Sequence, residues 1–504
     1  MTSNHLRAAG IALLSVFGLL LSGCSGGETQ PHDRQLMVGA SVAPNSMDPS
    51  TNDAAAIPQA LLYNVYETLL KIDGDGKLSP LLASEWQVTP DGLTYTFKLR
   101  PQARFASGTP VDAAAVVTSI ERIISDPAVL PVLKTRMSPV DSIRAVDDDT
   151  VEFVLKRPSH SWLYAMAQTA GIIYDPAGLD RIASQPAGSG PFVLSQWVPG
   201  DEVVLARNPE YWGAASRLAG VTFKYFTDAN AMNAAMLSGS LDVVSNVAAP
   251  QALDQFRDDR FKVLEGVTTA EVVLGFNHRQ PALQDVRVRQ AVLAGIDRAA
   301  LRDAVWGGKG PLIGSMVPPT DPWYEDLSGV NTYDPDRARA LLTEAGYAPG
   351  ELTLRLRVPN LPYAPPAATY IASQLAQVGI TVQVDELEFP ATWIEEVMRK
   401  SNYDMTIVAH VETRDIVNFA NPDYYWHYNN PSFTDLVTRA DAAPTDREQI
   451  ALLQQAARIL AEDAAAGFLW LLPNLVVTKS DVEGVDANAP SLSFDLTGTY
   501  APPN

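Results

Sequence analysis

Few side chains in this 504-residue chain are set up for chemistry, and the one whose neighbours say most is its only cysteine, Cys24. It closes the run Leu21-Ser22-Gly23-Cys24, directly behind an apolar stretch from Ile11 to Leu21. That stretch is too short to span a bilayer, which takes about 20 apolar residues. With Arg7 in front of it, it has the form of a secretory signal. Small Ser22 and Gly23 leave the backbone open to a peptidase, and a thiol is the nucleophile that accepts a diacylglyceryl group. Residues 1–23 are therefore expected to be a removed signal peptide.

Other reactive groupings are absent or incomplete. Gly188-Ser189-Gly190 lacks the full nucleophile-elbow pattern and has no local histidine. There is no HExxH, and a secreted hydrolase is the weakest reading; the chain is not expected to be an enzyme or to carry a cofactor. Of the six histidines, His5 and His32 precede the folded region, and His160, His278, His410 and His427 show no ligand spacing such as HxxxH. No metal site is expected, although His410 and His427 could converge to hold a chelate. A formal charge of -21, from 37 basic and 58 acidic residues, argues against nucleic acid. With the one cysteine assigned, no internal disulfide can form.

The elements that must position any site alternate between helix and strand. Residues Ser25 to Arg34 are polar and glycine-containing, the composition of a tether. Thr109-Pro110 predicts a helix start before Val116, Val117, Ile120 and Ile124. Asp334-Pro335 opens a helix through Leu341 and Leu342, with Gly346 as its stop, and Thr445 with Glu448 forms a capping box before Leu452. Strands are predicted at Thr94 to Leu99, Val151 to Leu155 and Thr381 to Val384. The pattern is α/β, and 504 residues suffice for two or three domains.

A series of segments then adds specificity. Leu69 to Glu121 (LLKIDGDGKLSPLLASEWQVTPDGLTYTFKLRPQARFASGTPVDAAAVVTSIE) is followed by Gly188-Ser189-Gly190-Pro191-Phe192, Arg207-Asn208-Pro209-Glu210-Tyr211-Trp212-Gly213 and Leu237-Ser238-Gly239-Ser240-Leu241-Asp242. Further on come Phe276-Asn277, Asp285 to Ala291 (DVRVRQA), Ile296-Asp297-Arg298 and Ala345-Gly346-Tyr347. In this order they resemble the family 5 extracellular solute-binding proteins of bacterial ABC importers, the oligopeptide-, dipeptide- and nickel-binding class. Leu21 to Cys24 is similar to a bacterial lipobox, which implies cleavage before Cys24 and a lipidated Cys24 as first residue of a protein held on the outer side of the cytoplasmic membrane. The resemblance implies a two-lobed periplasmic-binding-protein-like fold of the class II (cluster C) type, with an extra domain inserted in lobe one. Mapped onto this chain, 24–35 is a tether and 36–59, 178–265 and 476–504 form lobe one. The extra domain is 60–177 and lobe two is 266–475, with hinges near 178 and 265. Arg287 and Arg289 are read as structural salt-bridge residues.

The resemblance also places a binding segment. Peptide-binding members carry a tryptophan and then an acidic residue that pairs with the ligand's amino terminus. Aligned without gaps, His410 takes the tryptophan position and Thr413 the acidic one; Glu412 and Asp415 flank it, and either could supply the carboxylate after a small backbone shift, with Asp415 slightly favoured and Val411 alongside. The alternative is that Glu412, Arg414 and Asp415 pair with one another on a solvated loop. Downstream, Tyr424, Tyr425 and Trp426 belong to a ring-rich run suited to lining a cleft. Backbone at Asp53, Ala54 and Ala55 is implied to add a peptide strand. The expected function is capture of a small solute, chiefly a short peptide, by a monomeric receptor that delivers it to ABC permease subunits and touches the membrane only through its lipid. A nickel or metal-chelate receptor and a degenerate surface scaffold are the alternatives.

Overall fold

The computed structural model describes residues 34–247 and 250–502. Cys24, the signal segment and the tether through 33 lie outside the described residues. The chain is already folded at Arg34, whose buried guanidinium pairs with Asp242 (2.5 Å) and Asp481 (2.6 Å), and Gln35 opens the first strand. Among the described residues, no helix is long and apolar enough to cross a membrane.

Two mixed sheets organise the molecule. The first has seven strands in the order Phe192–Val198, Glu202–Arg207, Gly220–Tyr225, Gln35–Ala40, Val243–Val244, Asn474–Lys479 and Phe261–Gly266. Its central strand Gln35–Ala40 runs parallel to both neighbours. That strand has apolar neighbours on both faces, as parallel strands require. Leu36 and Val38 face one core, while Met37 packs against the other with Met232 and Met236. The second sheet has five strands, Ile380–Leu387, Leu352–Pro359, Met405–His410, Glu271–Phe276 and Ala466–Leu471, with a separate core on each face.

Between the first strand and residue 177 the chain builds a four-stranded antiparallel sheet, Ala83–Val88, Thr94–Leu99, Thr150–Leu155 and Val140–Asp147. Alternation in TYTFKL and TVEFVL buries Tyr95, Phe97, Leu99, Val151, Phe153 and Leu155 on one face. Helix Ala113–Ser125 covers that face with Val116, Ile120 and Ile123. The start at Pro110 expected from sequence is displaced: Asp112 caps the helix by accepting from the amide of Ala115 (2.8 Å), and Pro110 instead bridges to Arg104. Ile124, expected on the buried face, points outward, because 116, 120 and 123 keep the helical stripe.

Other local expectations match. Asp334 caps the helix Pro335–Glu344, Gly346 follows it at φ +93°, and Thr445 Oγ1 accepts from Glu448 N (3.3 Å). Arg287 pairs with Asp285 at the surface. Arg289 is structural without being a salt bridge: it is buried and donates to the carbonyls of Leu283, Gln284, Asp463 and Ala464.

The two large sheets are joined by two short passages, 267–270 and 472–473. A contiguous lobe can be entered and left only once each, so any hinge belongs at these two places. Residue 178 is a different kind of position; it ends the turn Pro176–Gly178, which follows the four-stranded sheet in the chain. The junction of that four-stranded region with the seven-stranded sheet is fastened by Glu67. Its buried carboxylate accepts from Ser189 Oγ (2.7 Å), Tyr211 Oη (2.8 Å) and Trp212 Nε1 (2.9 Å). Burial outweighs these three bonds and lifts the acid to about 7. The folded state therefore holds a proton that the unfolded chain releases near its ordinary value. Stability from this group is fully present at low pH and is lost as pH rises from about 4.5 to about 7, by about 3 kcal/mol. Melting temperatures of wild type and Glu67→Gln between pH 5 and 7.5 should show the wild type losing ground to the variant as pH rises. A constant difference would refute the assignment.

Candidate ligand-binding cleft

The four-stranded region and the five-stranded lobe face each other across a cavity of about 600 Å³. One wall comes from helix Pro131–Met137, helix His160–Ala165 and Gln168; the other from the segment Glu412–Asn418, Trp323 and Tyr424. Two ties cross directly. Gln168 Nε2 donates to Thr413 Oγ1 (2.8 Å), and the Arg414 guanidinium lies 3.5 Å from the Tyr164 ring centroid and 4.9 Å from that of Trp323. Arg414 sits in the left-handed region at φ +60°, which turns the chain sharply between Glu412 and Asp415.

At one edge the cleft is clasped. Asp441, at the end of helix Pro431–Asp441, accepts from Arg157 Nη1 (2.6 Å), Ser159 Oγ (3.0 and 3.1 Å) and Ser161 N (3.0 Å). His160 Nε2 bonds the carbonyl of Ala443 (2.8 Å) beside it.

The acidic segment is not a solvated loop of mutually paired charges. Asp415 is 4% exposed and neither carboxylate oxygen has a hydrogen-bond donor, while Arg414 is spent on the rings. Desolvation, with help from Glu412 and Asp321, pushes the Asp415 acid well above its usual range. Glu412 is exposed and reaches the same space. Strand pairing adds a further acid: Glu271 stands directly opposite His410, so both side chains leave the same face of the sheet. Glu271 is buried, its Oε2 is unpartnered, and burial together with Asp415 raises it strongly. Asp321, half-buried nearby, is pushed up to about 7 by desolvation. Across the cavity, burial depresses the Arg136 guanidinium, with Glu412 acting in the opposite sense; Arg136 Nη1 meets Gln168 Oε1 at 3.4 Å. Arg136 thus faces Glu412 and Asp415 across the cavity, with the acids Glu271 and Asp321 close behind the second wall.

Of the residues expected at the site, Glu412, Asp415 and Tyr424 line the cavity. His410, Tyr425 and Trp426 lie behind its wall instead. His410 Nε2 bonds Tyr425 Oη (2.9 Å), and its ring stacks on that of Tyr425 at an interplanar angle of 6°. Trp426 is fully buried, stacked on Phe419 at 4.0 Å and lying against Gly275, where any Cβ would meet its indole at 2.7 Å. Burial lowers His410 to about 4. Val411 is exposed outside the cavity lining. Asp53, Ala54 and Ala55 also lie off the cavity. The carbonyls of Ala54 and Ala55 already accept from Ile57 N and Gln59 N at the start of a helix. His427 does not converge with His410; it bonds Ser401 Oγ (2.7 Å) and the Pro422 carbonyl.

Sequence reading missed Arg136, Tyr164 and Gln168 on the opposite wall, and Trp323 beside the acidic segment. Nothing in their spacing marks them, since they come from separate elements. Glu271 did leave a signal, as the only charge in the apolar strand EVVLGF. No metal set was expected, yet the fold brings ligand atoms of His410, Glu412 and Asp415 within 4.8 Å of one another.

Comparison with known proteins agrees with this architecture. Residues 77–432 match the bacterial extracellular solute-binding proteins, family 5 (middle region). The chain is 28% identical over 392 residues to the glutathione-binding protein GsiB of Escherichia coli O1:K1, covering 77% of this chain and 75% of that protein. It is 27% identical over 489 residues to the probable D,D-dipeptide-binding periplasmic protein DdpA of Escherichia coli K12, covering 89% and 90%. Its fold superposes on the ABC transporter substrate-binding protein CtaP of Listeria monocytogenes with a TM-score of 0.83 at 22% identity, over 93% of this chain and 99% of that one. It is the two-lobed α/β fold that the motifs implied. The protein belongs to family 5 of the bacterial extracellular solute-binding proteins, a family of binding proteins.

Proposed function

We propose that this protein is a lipid-anchored receptor that captures a short peptide between its lobes and hands it to an ABC permease. The observation that carries this reading is the cavity wall itself. Asp415 is buried without a donor and Glu412 is beside it, while Arg136 stands on the facing wall. A peptide brings an ammonium for the first pair and a carboxylate for the second, and charge-assisted bonds to each are stronger than neutral ones. Val132, Met398 and Val417, all partly exposed around the same space, supply apolar surface for side chains. Glutathione and D,D-dipeptides, the ligands named for GsiB and DdpA, are themselves small peptides with both charges. Asp53, Ala54, Ala55, Val411, His410, Tyr425 and Trp426 then act as surroundings of the site rather than contacts.

Division into lobe one (36–59, 178–265, 476–504), an extra domain (60–177) and lobe two (266–475) is part of the same proposal, with closure about 267–270 and 472–473. Attachment through Cys24 is another part, and a monomer is the working unit. Native mass spectrometry of purified protein should show a retained solute carrying a free amine, and the amino-terminal peptide should begin at a diacylated Cys24. A retained solute without an amine would overturn the peptide reading. An unmodified Cys24 would overturn the anchor.

A further inference from the structure

We infer that the turn Asp73–Lys77 is a built-in stop that sets how far the five-stranded lobe closes on the rest of the molecule, with Gly76 as its positioning residue. Gly76 lies outside the cavity lining. The inference rests on the closure proposed above, not on which solute is captured, and it is tested with no solute present.

The turn joins the short strands Leu70–Ile72 and Leu78–Pro80, and Leu70 and Ile72 belong to the same core as the four-stranded sheet. Its tip reaches the five-stranded lobe. Gly76 is buried at φ +78°, and a Cβ built on it would stand 2.7 Å from the carbonyl oxygen of Thr320. Backbone meets backbone here, with room for a hydrogen and nothing larger. Thr320 is firmly held in turn. Met316, Val317 and Trp323, on either side of it, are buried in one core of the five-stranded sheet. Trp323 also lines the cavity, 4.9 Å from the Arg414 guanidinium. A push on Thr320 is therefore delivered to the cavity wall.

A stop must also be stiff from behind. Asp73 closes the turn on itself: its Oδ1 accepts from Asp75 N (3.0 Å) and Lys77 N (2.9 Å), and its carbonyl accepts from Gly76 N (2.9 Å). Asn488 then braces it. The Asn488 Nδ2 donates to the Gly74 carbonyl (3.1 Å), while its Oδ1 accepts from Val267 N (2.8 Å) in the first passage between the large sheets.

The neighbours of Asn488 hold both passages. Ala489 N donates to the Val267 carbonyl (2.8 Å), and Asn474 Nδ2, next to 472–473, donates to the Ala487 carbonyl (2.8 Å). One short segment, 487–489, ties the hinge to the stop. The cavity between this segment and the turn, lined by Asp73, Gly74, Asn474 and Asn488, measures about 30 Å³, room for little more than water. With no space for the turn to retreat, added bulk at 76 must part the lobes instead.

The test is Gly76→Ala in the full chain, freed of solute. Overpacking of this size should disfavour the closed form by about tenfold to a hundredfold. The radius of gyration should rise in small-angle scattering. The Ser161 amide, which crosses the cleft to Asp441 at 3.0 Å, should exchange its hydrogen faster. Gly108→Ala is the control: it places alanine at φ +87° with nothing within 4 Å, so it carries the backbone strain without the wedge and should change neither readout. Gly76→Asn keeps the wedge in a residue that tolerates the left-handed conformation better, and replaces Gly76→Ala if that variant folds poorly. A radius and a Ser161 exchange rate equal to those of Gly108→Ala overturn the stop. If Asp441→Ala opens the protein in the same assay, closure stands without the stop; if it too stays compact, closure fails with it. A retained solute without an amine would overturn the peptide reading and leave these results untouched.

Discussion

Asp415→Asn should weaken binding of the retained peptide by roughly thirtyfold to several thousandfold, measured by calorimetry. The range follows from about 2–5 kcal/mol for removing one partner of a desolvated charge pair, at a factor of ten per 1.4 kcal/mol. Asp415 meets the condition for the large effect, because it is buried, neither oxygen accepts a hydrogen bond, and the nearby His410 Nδ1 (3.6 Å) belongs to a ring that burial keeps neutral. Glu412→Gln should cost less, under about 1 kcal/mol, because an exposed carboxylate is screened by water. Blocking the solute's amine should reproduce the Asp415 effect in wild type and add little in the variant. If both variants bind within about twofold of wild type and the blocked amine is harmless, the ammonium is held elsewhere.

The contrast between these two acids was half legible in the sequence. Their types and spacing placed carboxylates at the end of a strand, and Asp415 was favoured as the residue where the chain departs. What could not be read was burial. The left-handed turn at Arg414 swings its guanidinium onto Tyr164 and Trp323, residues about 250 and 90 positions away in sequence, and so strips Asp415 of the nearest cation. Local pattern carries no information on such a contact. The rings show the same limit: Tyr424, Tyr425 and Trp426 are consecutive, yet only the first reaches the cavity, because Gly275 makes room for Trp426 inside.

Elements governed by short-range physics were readable, while assembly was not. The capping side chains of Asp334 and Thr445 act within one turn, and the TYTFKL alternation needs only its own period. The start at Pro110 failed because a second capping residue, Asp112, stood two places on. Residue 178 marks a junction within the first half of the molecule, whereas passage between the large sheets occurs at 267–270 and 472–473, a topology that local pattern does not carry.

Asp441→Ala should open the unliganded protein, seen as a larger radius of gyration in small-angle scattering. Three groups of the Arg157–Ser161 segment converge on Asp441: Arg157 Nη1, Ser159 Oγ and Ser161 N. It stays below its usual range although burial acts to raise it, because these donors favour the charged form. Arg157 is more than half exposed, so its ion pair adds little alone. The amide and hydroxyl bonds to a charged acceptor are worth about 1.5–3 kcal/mol each, and losing them leaves Ser161 N without its acceptor. A shift of about 2–3 kcal/mol changes an open–closed ratio by roughly thirtyfold to a hundred-and-fiftyfold, enough to invert a modest preference for closure. Because the measurement is made without solute, Asp441's place in the cavity lining does not confuse it. Saturating peptide should then restore the compact form, at a cost in apparent affinity equal to the lost closed fraction. An unchanged radius of gyration in the variant, with the wild type compact, would show that the clasp does not hold the two halves together.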